Sequence, residues 1–343
     1  MRESDPSIPD VQPAGEDLDR ERHQLLAEVA SLYYEDNLIQ AEIASRLGIS
    51  RSSVSRLLSE ARELGIVDIT IHWPGGSTGD LGARLKHTFG LHDVQVVRAG
   101  ARGYPQVVEA LGRAAARLLE DRLGDGMTLG ISWNTGVYQV VRAFQAARRM
   151  GVRVVQLTGS AAPSNPLLDG PDLARWLAHM LGGHYIYLPA PLVVDSRATR
   201  DALLKDRAIT ECLEIARQAD IALVGIGTVF PPLCSLLQTG YLTEEELAEI
   251  TAMGGVGDIL TTFYDIEGNI LPLSLHERTI GLSLERLRSI ECVIGVAAGI
   301  HKAPAIVGAL RGGYLSCLVT DDQAAHEVLR IIREGEEEKA SGE

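Results

Sequence analysis

Residues 48–71 read GISRSSVSRLLSEARELGIVDITI, and the reading of this stretch decides the first domain. Gly48 closes a short helical pattern from Gln40 to Leu47, in which Ile43, Ala44 and Leu47 are apolar. Glycine suits that closing position because a left-handed backbone costs it little. Ser50 then stands where its hydroxyl can take up a free backbone N–H of a new helix. At about 100° per residue, Val54, Leu57, Leu58, Ala61 and Leu64 of that helix share one sector, and Arg51, Ser52, Ser55 and Arg56 share the opposite one. The apolar sector packs, and the other is free to touch a partner.

Two arginines on that free face can fork onto guanine edges or phosphates, and the short hydroxyls allow close approach to a sugar-phosphate backbone. A lone helix of this kind would read as a solvated face. Here a short helix, a tight Gly-Ile-Ser turn and a second helix give the geometry that enters a major groove. The expected DNA contacts are Gln40, Ser50, Arg51, Ser52, Ser55 and Arg56. Upstream, Leu25, Leu26, Val29, Leu32 and Tyr33 repeat at helical spacing and supply a first helix, with Tyr33 and Tyr34 packing it. Downstream, Gly65 ends the recognition helix and IVDITIHW alternates as a strand, the expected wing.

The 343 residues allow two or three domains, and 45% hydrophobic with 23% charged residues is ordinary for a folded soluble protein. The net charge of −14 argues against a nucleic-acid partner only if location is ignored. Seven acids against three arginines precede His23, and the last ten residues, EGEEEKASGE, carry five glutamates against one lysine. Residues 1–22 and 334–343 are therefore expected to be acidic tails, residues 23–72 the helix-turn-helix domain and 73–80 a linker. No stretch approaches the roughly 18 apolar residues of a membrane helix, and the N-terminus has no apolar signal core, so a cytoplasmic location is expected. Cys212, Cys234, Cys292 and Cys317 are far apart and lie mostly in apolar runs, which points to buried free thiols rather than structural zinc.

From residue 81 to 333 the pattern changes. Short apolar runs recur as VQVVRAG, MTLGIS, RVVQLTG, HYIYLPAP, IALVGIG, CVIGVAAG and YLSCLVTD, several followed by amphipathic segments such as Gly136 to Arg149. Such alternation predicts an α/β domain with a parallel sheet covered on both faces. Ligands of such sheets bind where strands end. Four turns qualify: GISWNTG (130–136), VGIGTV (224–229) with Gly225 and Gly227, GGVGDI (254–259) with Asp258, and AAGIHKAPAI (297–306) with Lys302. Glycine-rich turns of this kind are equally architectural features of any α/β protein. None is GxGxxG followed by an acid and none is GxxxxGK[ST], so neither a dinucleotide nor an NTP is indicated, and no cofactor is expected. Hydroxyls, a carboxylate and an ammonium suit a small polyhydroxylated ligand, phosphorylated or not. His184 and His301 lack partners at metal-ligand spacing, and Asp321 and Asp322 read as helix caps.

Taken together, LYYEDNLIQAEIASRLGISRSSVSRLLSEARELGIVDI, LGISWNTGVY, VVQLTGS, LPAPLVV, DIALVGIG, GGVGDILTTFYDIEG and GVAAGIHKAPAIVGALRGGYLSCLVTD resemble the SorC/DeoR-type sugar-responsive bacterial transcriptional regulators, from about Leu25 to Ile331. The resemblance implies a winged helix-turn-helix followed by a Rossmann-like, sugar-phosphate-isomerase-like domain that binds effector and assembles the chain as a dimer or tetramer. It implies a palindromic double-stranded DNA operator, repression or activation of sugar or polyol catabolism, and release or rearrangement on DNA when a sugar phosphate binds. Carried over by position, Asn134, Thr135 and Gly136 belong to a phosphate-side loop, Gln156 and Thr158 to the second strand end, Asp258 to the sugar hydroxyls and Lys302 to a basic contact, with Gly227 allowing close approach. This chain departs from the family pattern at Asn134 and Ser160, where glycine is common. An isomerase-like enzyme using Asp258 and Lys302 is the alternative, but such an enzyme gains nothing from a DNA-reading helix.

Overall fold

The computed structural model describes residues 14–67, 78–146, 148–161 and 170–341. The chain divides into two compact units, Met1–Pro74 and Gly75–Glu343.

The first unit holds α1 (Ala14–Tyr34), α2 (Gln40–Leu47) and α3 (Arg51–Glu63). Leu26 and Val29 of α1, Ile43 of α2 and Val54, Leu57, Leu58 and Ala61 of α3 bury their side chains in one core. Gly48 has φ +66° and donates its N–H to the Ala44 carbonyl, so the turn between α2 and α3 is built on the glycine. At the start of α2, the Glu42 carboxylate accepts the Ile39 N–H at 2.9 Å. Ser50 accepts the Ser53 N–H at 3.0 Å and caps α3. Leu64 departs from the expected packing sector: it caps the C-terminus of α3 and is 44% exposed. Of the stretch before His23, Ala14 to Arg22 are helical in α1 and Arg22 forks onto Glu60 of α3, while residues 1–13 lie outside the described residues. The expected wing strand falls mostly on residues 68–73, outside the described residues.

The second unit opens with α4 (Thr78–Phe89), so three residues of the expected linker are helical, and residues 73–77 lie outside the described ones. It continues through β1 (Asp93–Val97), α5 (Tyr104–Arg122), β2 (Thr128–Ile131), α6 (Thr135–Ala143), β3 (Arg153–Gln156), α7 (Gly170–Leu181) and β4 (His184–Ile186). Then follow α8 (Arg197–Leu203), α9 (Arg207–Arg217), β5 (Ile221–Gly225), α10 (Ser235–Gln238), α11 (Glu244–Ala252), β6 (Gly255–Ile259) and β7 (Thr262–Asp265). The last elements are α12 (Leu284–Leu287), β8 (Cys292–Val296), α13 (Ala303–Arg311), β9 (Cys317–Asp321) and α14 (Asp322–Ser341). The C-terminal acidic stretch is thus helical to Ser341, with Arg330 pairing Glu327 and Glu334, and Arg333 pairing Glu337, at helical spacing.

Seven parallel strands form one sheet in the order β1-β9-β8-β5-β2-β3-β4, and each arises from one of the seven apolar runs. Their continuous hydrophobicity serves two cores: Ala222, Val224, Val293 and Leu318 face one side, and Leu223, Ile294 and Val319 the other. From β2 the chain steps outward through β3 and β4, then returns to lay β5 on the other side of β2 and continues to β8 and β9. The strand order therefore reverses between β2 and β5, the place where open α/β sheets form a crevice at their carboxyl ends. One expectation needs correction: GGVGDI is not a turn at the end of a sheet strand. It is β6, paired antiparallel with β7 in a separate two-stranded hairpin. The helix expected from Gly136 to Arg149 stops at Ala143.

Candidate functional site

Asn134 follows β2 at the reversal point and sets the local geometry. Its Oδ1 accepts the Val137 N–H at 2.8 Å, which caps α6. The side chain fits because position 225 is glycine: a Cβ there would meet the Asn134 Nδ2 at 1.5 Å. Ser132 adds a second tie between β2 and β5 by accepting the Gly225 N–H at 3.2 Å. With Val137 and Tyr138 bonded back to Asn134, the N–H groups of Thr135 and Gly136 remain at the head of α6 without a carbonyl partner within the helix. That helix end is a place for an anion.

A small cleft lies at the head of α6. Asn134, Thr135, Gly136 and Lys302 line it together with Tyr104, Ser235 and Gln238. The sequence reading missed the last three. Tyr104 opens α5 behind a glycine, Ser235 and Gln238 sit on the one-turn α10, and no motif marks any of them. Burial pushes the Tyr104 phenol up to about 12, with Asp321 reinforcing the shift, so it is a hydrogen-bond donor at neutral pH.

Lys302 ends a 3₁₀ turn, Ile300–Lys302, that leads into α13. Its buried Nζ donates to the Ile226 carbonyl at 2.5 Å. Burial lowers its pKa to about 8 against the opposing pull of Asp258. Asp258 shows the mirror effect: burial raises its carboxyl to about 6, opposed by Lys302 and by the Thr261 backbone N–H. Gly227 donates its N–H to the Asp258 carbonyl at 2.8 Å, so the hairpin is fastened to the end of β5. Thr228, buried beside them, donates to the His301 carbonyl at 3.2 Å, and the His301 ring stacks on Phe230 with centroids 4.0 Å apart.

Gln156 and Thr158 lie at the end of β3 and do not line this cleft. Gln156 accepts the Leu188 N–H through Oε1 at 3.0 Å, and its buried Nε2 has no partner among the described residues. Thr158 is buried and bridges to Gly281. The four cysteines are free and buried, and among the described residues no group of three or more His, Cys, Asp or Glu side chains is placed to hold a metal ion.

In the first unit Arg51, Ser52, Ser55 and Arg56 are exposed along α3. Ser50 is engaged in the cap, bonded to the Ser53 N–H and to the Ser52 and Ser53 hydroxyls. The stripe continues through the half-buried Ser59 to the exposed Arg62, which the sequence did not single out. Ser59 donates to the Ser55 carbonyl at 3.1 Å, and the Arg62 Nε to the Leu58 carbonyl at 3.3 Å.

Residues 76–330 match the Sugar-bind family of sugar-binding domains, and residues 16–72 match the MarR family. The deoxyribonucleoside regulator of Bacillus subtilis is 36% identical over 315 residues, covering 92% of this chain and all of that protein. The LsrR transcriptional regulator of an Enterobacter species is 32% identical, covering 90% and 93%. The crystal structure of the full-length sorbitol operon regulator SorC from Klebsiella pneumoniae superposes with a TM-score of 0.72 at 31% identity, covering 89% of this chain and 98% of that one. The chain belongs to the SorC/DeoR-type transcriptional regulators. As a member of that family it is a helix-turn-helix DNA-binding regulator carrying a sugar-binding domain. Its named relatives are regulators and not enzymes, which decides against the isomerase-like alternative. Among the described residues no helix is long and apolar enough to cross a membrane.

Proposed function

We propose that this SorC/DeoR-type regulator binds a palindromic operator as a homo-oligomer in the cytoplasm, and represses sugar or polyol catabolism until a sugar-phosphate-like effector occupies the cleft before α6. Arg51 and Arg56 read base edges or phosphates, while Gln40, Ser50, Ser52 and Ser55 approach the DNA backbone. The oligomer follows from specificity, because one short helix reads too few base pairs and two-fold proteins read palindromes. The working division of the chain is a DNA-binding domain near residues 23–72 and an effector and assembly domain near 81–333.

The observation that carries the effector reading is that Thr135 and Gly136, at the head of α6, and Lys302 line one cleft. These groups attract an anion such as phosphate. Tyr104, Ser235 and Gln238 on the remaining wall then suit hydroxyls of the same molecule. Asp258 takes sugar hydroxyls, and Gly227 leaves room for it. Gln156 and Thr158 are secondary contacts, and the unpaired Gln156 Nε2 is the group with a hydrogen bond to offer.

A thermal-shift screen of the full-length protein against sugars, polyols and their phosphates tests this, because a ligand that binds only the native state raises apparent stability by mass action. A phosphorylated sugar or polyol should raise Tm and change operator affinity. A screen in which no such compound stabilises the protein would remove the effector reading.

A further inference from the structure

Glu60 puts a carboxylate on α3, the helix proposed to read DNA. At about 100° per residue it stands about 40° around the helix from Arg56 and one turn further on, the spacing at which side chains of opposite charge meet. A carboxylate in that place opposes DNA binding in two ways. It repels phosphate, and it competes with phosphate or a base edge for the Arg56 guanidinium. Arg56 nevertheless makes no ion pair among the described residues, and its Nη2 makes only a long hydrogen bond to the Ser53 Oγ at 3.4 Å.

The Glu60 carboxylate is taken instead by α1. Leu26 is buried in the core that α1 shares with α3, and Arg22, one turn before it, lies on the same face of α1. The Arg22 Nε donates to the Glu60 Oε1 at 3.0 Å and its Nη2 to Oε2 at 2.5 Å, so one guanidinium occupies both carboxylate oxygens. The bond to Arg22 holds the Glu60 carboxyl below its ordinary range, so the charge that needs an answer is present at neutral pH. Both side chains stay partly exposed, 48% for Arg22 and 34% for Glu60, and exposed ion pairs add little to stability. What the fork changes is the charge that α3 presents.

We propose that Arg22 is a positioning residue of the DNA-reading face: by occupying both oxygens of Glu60 it leaves Arg56 free to reach DNA and shields phosphate from the carboxylate. The inference rests on Arg56 being a DNA contact.

The test uses the full-length protein and a fluorescein-labelled duplex that the unmutated protein selects from a random-sequence pool. Affinity is read by anisotropy at about 0.05 M salt, where surface charges are weakly screened. Arg22→Ala should keep its circular dichroism and Tm and bind about two- to fivefold more weakly, because capture of Arg56 and repulsion of phosphate are each worth about a factor of two at this spacing. Glu60→Ala should bind at least as tightly as the unmutated protein, and Arg22→Ala/Glu60→Ala should match Glu60→Ala. A purely structural fork gives a different pattern, since Glu60→Ala breaks it as fully as Arg22→Ala does and would weaken binding equally. A direct contact of Arg22 with phosphate would leave the double variant as weak as Arg22→Ala. Either result overturns the proposal, as does wild-type affinity in Arg22→Ala. If Arg22→Ala does not fold, Glu60→Ala decides alone, and weaker binding by it overturns the proposal. Arg56→Ala tests the reading beneath: wild-type affinity there removes the DNA role of Arg56, whereas a weakened Arg56→Ala beside an unaffected Arg22→Ala removes this proposal alone.

Discussion

Gly227 lies so close to Asp258 that a Cβ built on it would meet the carboxylate Oδ1 at 1.8 Å, while its N–H binds the Asp258 carbonyl at 2.8 Å. Its φ is not in the left-handed range, so the reason for glycine here is space. Gly227→Ala should push the carboxylate out of place, cost about 1–3 kcal/mol of stability and abolish the effector response while operator binding persists. Urea unfolding and operator anisotropy measure the two halves. An alanine variant with wild-type stability and response would show that the carboxylate has other room.

Asn134 and Gly225 make the same kind of pair, and they separate capping from ligand contact. Asn134→Ala removes the α6 cap and should cost about 1 kcal/mol. Asn134→Ser keeps a capping oxygen and should retain stability. If the asparagine acts through the cap, the serine variant also keeps the effector response. Loss of response in a fully stable serine variant would instead place the Asn134 side chain on the ligand.

Asp258 and Lys302 give a pH dependence with a definite sign. Asp258 titrates at about 6 when folded against an ordinary 3.8, so between these values the folded state binds more protons and stability falls as pH rises. Lys302 titrates at about 8 against 10.5, so across that interval the unfolded state binds more protons and stability recovers as pH rises. Both groups therefore cost stability near pH 7, where both are charged. Binding of an anionic effector that needs this charged pair should be strongest between about 6 and 8. Calorimetric titration across pH measures it, and an affinity flat from pH 5 to about 9 would free the site from both groups.

The sheet was legible because parallel strands buried on both faces are nearly uninterrupted apolar runs, and VQVVRAG through YLSCLVTD marked all seven. The α2–α3 turn was legible because Gly48 and Ser50 each have one dominant local role. The β6–β7 hairpin was not, since its turn residues are Leu260 and Thr261 where Asn-Gly would announce it. Packing overrides turn preference there, and packing cannot be read from a single sequence. Tyr104, Ser235 and Gln238 escaped for the related reason that elements distant in sequence bring them to one cleft. The C-terminal acidic stretch misled by composition, because Arg330 and Arg333 supply the helical charge pairs that a count of glutamates hides.

On the DNA side, the Arg51→Ala/Arg56→Ala variant should fold as the wild type does, since both side chains are exposed and outside the core. Its operator affinity should fall by about 2–6 kcal/mol if each arginine contacts a base edge. Arg62→Ala should weaken specific and random DNA alike and reduce the slope of log affinity against log salt by about one. A gel shift with unchanged affinity in the double variant, circular dichroism intact, would remove α3 as the reading helix.

The last prediction concerns Lys302, which lines the cleft and whose ammonium ties down the Ile226 carbonyl at 2.5 Å. Lys302→Met keeps the bulk of the side chain but leaves Asp258 buried without its cation, so it should cost stability by about 1–3 kcal/mol. Asp258→Asn removes the charge that Lys302 supports, and Lys302→Met/Asp258→Asn removes both. In contact through their fields, the two changes should be non-additive, with the double variant more stable than the sum of the single ones implies. Operator affinity without ligand should stay close to wild type in all three, because the proposed DNA contacts lie on α3 in the other unit. Their responses should differ by ligand charge: Lys302→Met loses the response to a phosphorylated effector, since an ammonium next to a helix N-terminus acts chiefly on negative charge. Asp258→Asn should weaken phosphorylated and neutral polyols alike, because the carboxylate is assigned to hydroxyls. Operator anisotropy with each ligand class, on the four proteins, separates these outcomes. A Lys302→Met protein that responds at the wild-type concentration of a phosphorylated effector would take the lysine out of the site and leave it as the tether of β5.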